Sequence, residues 1–173
     1  DDQGRKNRWV TRYDFQPEQY NSIGDEFISF SEGNLYIHDK NNTRNNFYGV
    51  QYNSFITPVF NKNELQVKTF MAVEEYATDV WDCPEIVTSL SEYGITKQTS
   101  ELISADFDEL EGNYNAAFLC ASNSIGGLIN GTALKGNLMS IKFRAIIPQP
   151  PNNNLVTLEL IELHSINSPL NTR

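Results

Sequence analysis

Leu138-Met139-Ser140-Ile141-Lys142-Phe143-Arg144-Ala145-Ile146 decides the fold class. Met139, Ile141, Phe143 and Ala145 fall on one side of an extended chain and Ser140, Lys142 and Arg144 on the other, the period-2 alternation of a half-buried strand. No other assignment hides the apolar set, so Met139, Ile141 and Phe143 are predicted to be buried and Ser140, Lys142 and Arg144 exposed. After the loop Pro148-Gln149-Pro150-Pro151-Asn152-Asn153-Asn154 the pattern resumes: Val156, Leu158 and Leu160 alternate with polar residues, then the phase slips to Ile161 and Leu163. A one-residue slip of that kind is how a β-bulge shows itself in sequence.

The same alternation runs back through the chain. Trp9 to Phe15 reads as a strand, and Glu26 to Phe30 with Leu35 to His38 as a hairpin around Ser31-Glu32-Gly33-Asn34, where Gly33 or Asn34 can take positive φ. Phe47 to Tyr52 reads as one strand. Phe55 to Phe60 reads as another, demoted by Pro58 to an edge or a bulge. Leu65 to Tyr76 reads as a strand with Leu65, Val67, Thr69 and Met71 on one side, and Gly94 to Ser104 and Tyr114 to Ala121 supply two more. Twenty asparagines, often doubled or tripled, sit between the apolar runs as turn residues. The expectation is an all-β chain of roughly nine short strands: an antiparallel sandwich or barrel-like domain over residues 46–173, preceded by a propeller-blade-like meander over residues 1–45.

Composition limits function. The 173 residues are 39% hydrophobic and 20% charged, enough apolar content for a packed core. The longest apolar run, Ala116 to Ala121, is six residues, far short of the roughly 20 of a membrane helix. The chain opens Asp1-Asp2-Gln3-Gly4 without a Met, so a piece of a larger protein is expected. Net charge is −9, and residues 71 to 120 hold eleven acids against the single base Lys97. Such a segment repels phosphate and argues against tight sequence-independent nucleic-acid binding, leaving only the small cluster Arg5, Lys6, Arg8 and Arg12 for it.

No constellation points to catalysis or a cofactor. Cys83 and Cys120, 37 residues apart, cannot make a zinc knuckle; two thiols are expected, one disulfide being the most they allow. His38 and His164 exclude a multi-histidine metal site, and neither lies near a nucleophile motif; His164 is expected to face solvent. Ser124 to Thr132 is glycine-rich but lacks the ending of a phosphate-binding loop, and Asn41-Asn42-Thr43 and Asn130-Gly131-Thr132 are chance matches to a glycosylation pattern. Asp106, Asp108, Glu109 and Glu111 are the densest oxygen ligands, but without an EF-hand's alternation they read as a solvated acidic turn. Expected are no catalytic, cofactor-binding or metal residues, no cofactor and no enzyme. Trp9, Tyr13, Tyr36, Phe47, Tyr48, Tyr52 and Trp81 would suit a sugar-binding face, though large β-sheet cores use the same residues.

Phe27 to His38, then Asn45 to Ser54, Tyr114 to Leu119, Leu128 to Gly136 and Asn167 to Asn171 resemble the large virion proteins of crAss-like and related podovirus-type phages, specifically the tail nozzle, or muzzle, family. The resemblance implies a ring-forming β-propeller protein at the exit of the portal channel, with Trp9 to His38 similar to one blade. On that footing the chain is a non-enzymatic virion module in the tail, made in the bacterial host cytoplasm. It would contact copies of itself and neighbouring tail proteins and let DNA pass without sequence-specific binding, with Asp106, Asp108, Glu109 and Glu111 as a channel-facing or solvated acidic cluster. The alternative is a carbohydrate-binding or adhesin-type β-sandwich module. The acidic block Glu74 to Asp82 and Cys120 depart from the family pattern.

Overall fold

The computed structural model describes residues 12–40, 43–63, 65–89, 97–121, 132–145 and 156–167. It divides into two compact units, Asp1–Tyr52 and Asn53–Arg173. The first therefore includes residues 46–52, which the sequence reading gave to the second domain.

Unit 1 contains an antiparallel meander of β1 (Gln19–Ile23), β2 (Glu26–Ser31) and β3 (Asn34–Ile37), followed by the small hairpin of β4 (Asn46–Phe47) and β5 (Val50–Gln51). The β2–β3 hairpin turns where expected, with positive φ at Glu32 and Gly33. Two expectations change. Residues 12–17 form no strand, because Tyr13 and Phe15 pack their rings on Phe47, at 5.2 and 4.4 Å between centroids, instead of pairing their backbone. Trp9 lies outside the described residues. The run Phe47 to Tyr52 is not one strand: Tyr48 (φ 54°) and Gly49 (φ 80°) reverse the chain inside it. Positive φ strains a tyrosine, and Tyr48 is held there by its hydroxyl on Ser29 Oγ at 2.8 Å and its ring on Tyr36.

Unit 2 is sandwich-like, built from two five-stranded antiparallel sheets, neither closed into a barrel. One runs β10 (Thr99–Leu102), β9 (Trp81–Thr88), β14 (Met139–Ala145), with β6 (Phe55–Ile56) and β7 (Val59–Phe60) both on the far side of β14. The other runs β11 (Asp108–Leu110), β12 (Asn113–Ala117), β8 (Lys68–Ala77), β13 (Lys135–Gly136), with β15 (Leu158–Asn167) on the opposite side of β8. One core joins them: Phe70 and Val73 of β8 and Ala116 of β12 meet Cys83 and Ile86 of β9, Leu102 of β10, and Met139, Ile141 and Phe143 of β14. Those three β14 residues are fully buried, as their alternation requires, but Ser140, Lys142 and Arg144 are half-buried where exposure was expected, Lys142 lying over the Phe55 ring and Arg144 paired with Asp82.

Bulges set the parity of the long strands. β15 slips between Leu158 and Leu160, as its sequence announces, so Leu158, Ile161 and Leu163 pack on the core while Leu160 points out. β8 gains a residue at Met71, since His164 pairs with Ala72 but Ser165 with Phe70. Phe70 is thereby buried and Met71 exposed, the reverse of the expected face, and inward parity passes to Val73 and Glu75. β9 was not foreseen. Pro84 sits in a bulge where both neighbours shift register, which is how a central strand tolerates a residue without an N–H. Pro58 likewise parts β6 from β7, as expected. Of the segments Gly94 to Ser104 and Tyr114 to Ala121, only Thr99–Leu102 and Asn113–Ala117 are strands within the described residues.

Candidate functional site

The residues nominated from sequence do not converge. Asp106 ends a 3-10 turn and accepts the Ile103 N–H at 2.8 Å; Asp108 and Glu109 point to opposite sides of β11, and Glu111 occupies the β11–β12 turn at positive φ. All four are exposed. Cys83 is buried and Cys120 exposed, with no bridge between them. The glycine-rich residues 124–131 and Asn41 and Asn130 fall outside the described residues.

Strand register gathers a different set. On the outward side of the second sheet, Asp108 lies opposite Asn115, Asn115 opposite Glu74, and Glu74 opposite Glu162. His164, exposed as expected, brings Nε2 to 3.3 Å from Glu74 Oε2. Asn113 Nδ2 donates to Glu74 Oε1 at 3.1 Å. Tyr76, beside them, donates its hydroxyl to Glu74, which holds that phenol above its ordinary value. Glu162-x-His164 puts two ligands on one side of a strand, a signal visible in the sequence; Glu74, 88 residues away, enters only through register.

The acids of the Glu74 to Asp82 block are split by parity. Glu75 is fully buried, and Asp82, nearly so, accepts from Ser104 N–H at 2.8 Å and pairs with Arg144 at 2.7 Å.

In unit 1 the two sides of the meander differ. Ser29 and Phe27 face the aromatic cluster: Ser29 Oγ lies 2.6 Å from His38 Nε2, and the Phe27 ring sits on His38 at 4.7 Å. The other side carries Ile23, Phe30, Leu35 and Ile37, all exposed, around the buried Ile28. A cleft lined by Tyr13, Tyr36, His38, Arg44, Phe47 and Tyr48 opens nearby. Its rings lean on each other at steep angles, 66° for Tyr13 on Phe47 and 68° for Tyr36 on Tyr48, and of these rings Tyr13 alone is exposed. Trp81 is buried in unit 2. Sugar platforms use open, flat-lying rings; these form a small core.

Residues 42–119 match the Crassvirus muzzle protein C-terminal domain. The match bears out the resemblance read from the sequence, covering the unit-1 hairpin and unit 2 as far as the end of β12, and it supports a structural role in a phage, as a component of the virion tail. No curated protein matches the chain. The muzzle match also agrees with the all-β sandwich: a domain of strands, turns and exposed faces, and no long apolar helix among the described residues that would cross a membrane.

Proposed function

We propose that the chain is a non-enzymatic module of a tail nozzle, made in the bacterial host and assembled with further copies in a ring and with neighbouring tail proteins around the DNA exit channel. The observation that carries this reading is the unit-1 face of Ile23, Phe30, Leu35 and Ile37, apolar and exposed over three strands. Contiguous apolar faces on soluble chains mark interaction surfaces, and the muzzle match supplies the setting. Within it, Asp106, Asp108, Glu109 and Glu111 would line the channel and keep DNA from adhering by like-charge repulsion.

Cross-linking mass spectrometry on purified virions tests the assembly reading. Links from unit 1 to another tail subunit are expected, and links confined to a single copy would overturn it. A reconstruction of the tail with the four carboxylates pointing away from the channel axis would overturn the lumen assignment alone.

A further inference from the structure

Glu74 and Glu162 occupy directly opposed positions on adjacent antiparallel strands, and His164 stands on the same outward side. One ligand atom from each lies within 4.8 Å of the others. Like charges directly opposite one another destabilise a sheet, and among the described residues no Lys or Arg pairs with either carboxylate. Asp108, in the same cross-strand row, adds to the negative potential. The opposition is also poorly screened, because only 16% of the Glu74 side chain is exposed. Glu74 is oriented as well as half-buried: Asn113 holds Oε1, Oε2 faces the imidazole, and the Tyr76 hydroxyl donates to the same carboxylate. A carboxylate fixed by an outer hydrogen bond beside an imidazole is how metal ligands are commonly held.

We propose that Glu74, Glu162 and His164 bind a divalent transition-metal ion of the zinc class, bridging β8 to the strand β15. The donor set selects the class. Imidazole with two carboxylates suits zinc and its neighbours, whereas calcium takes six or more oxygens and magnesium a near-ideal octahedron of them. Zinc bonds of roughly 2.0 to 2.2 Å place ligand atoms about 3 to 3.5 Å apart, and Glu162 and His164, both exposed, close the remaining gap by rotamer changes. The ion neutralises the opposed pair and clamps β15 to β8. Solvent fills its other positions, and what the ion does for the fold is hold the two strands together. The inference rests on this cluster alone and stands apart from the nozzle reading.

The test is calorimetric titration of the full chain with zinc chloride near neutral pH, in a Cys120→Ser background so that an exposed thiol supplies no ligand. One saturable site is expected. His164→Gln and Glu162→Gln should each weaken it by at least about 100-fold, and Asn113→Ala, which frees the Glu74 carboxylate, by roughly 10- to 100-fold; His38→Gln should leave it unchanged. Zinc should also raise the thermal midpoint of the parent chain and not that of Glu162→Gln. Absence of saturable binding, binding that survives His164→Gln, or calcium binding as tightly as zinc would each overturn the proposal, the last by showing diffuse attraction to acids.

Discussion

Trp81 donates its backbone N–H to Glu75 Oε2 at 2.9 Å, closing the β8–β9 connection around a fully buried carboxyl. The Met71 bulge puts Glu75 on the inward side with Val73, and its other oxygen faces Cys83 Sγ at 3.8 Å. Burial pushes the carboxyl up to about 7, the Asp82 charge adding to the rise and the bonds from Trp81 and Cys83 opposing it. Burial likewise drives the Cys83 thiol well above its usual range, reinforced by the Glu75 charge, so this thiol is an inert packing group.

A pH dependence follows. Between 4.5, the ordinary value, and about 7 the native chain keeps a Glu75 proton that the unfolded chain has released. Stability is therefore fully present below that window and falls as pH rises through it, by about 3 kcal/mol in all. Glu75→Gln stays neutral at every pH and keeps an oxygen for the Trp81 N–H. Urea unfolding across the window should show the parent chain losing stability relative to Glu75→Gln as pH increases. Parallel curves for the two would refute the assignment.

Phe143 is fully buried in the middle of β14, paired with Ile56 of β6 and packed in the core shared by both sheets. Truncation removes an entire ring from the core that the two sheets share. Phe143→Ala is expected to cost about 3 to 5 kcal/mol. A loss under about 1 kcal/mol in chemical denaturation would place the ring outside the core.

β14 was legible because its alternation is uninterrupted over seven residues, and the β15 bulge because apolar residues on either side of the slip announce it. β9 was not, since Asp82, Pro84 and Glu85 break every pattern, and what makes it a strand is supplied from elsewhere: Arg144 for Asp82 and a bulge for Pro84. Buried polar groups hide for the same reason. Lys68 is buried with its Nζ donating to the carbonyls of Lys62 (2.8 Å), Asn63 (3.3 Å), Gln66 (3.4 Å) and Asn137. Three of those acceptors lie within six residues, but the fourth is 69 away, and no local rule places it. The Glu74 cluster is alike: half of it is written as Glu162-x-His164, and the other half exists only once β8 and β15 are in register.

Asp82 and Arg144 give the last prediction. They are cross-strand partners in β9 and β14, joined at 2.7 Å, but unequally placed: 10% of the Asp82 side chain is exposed against 39% of Arg144. Removing the arginine strands a nearly buried carboxylate beside the acidic Glu75, whereas converting the carboxylate to an amide removes the charge, keeps an acceptor for the Ser104 N–H, and lets the guanidinium turn to water. Arg144→Met alone should therefore cost about 2 kcal/mol, and under about 1 kcal/mol when Asp82→Asn is already present. A double-mutant cycle by urea unfolding measures the difference. Coupling no larger than the roughly 0.3 to 0.5 kcal/mol scatter of independent sites would mean that the pair behaves as a solvent-screened surface contact and that Asp82 is not held in place by its arginine.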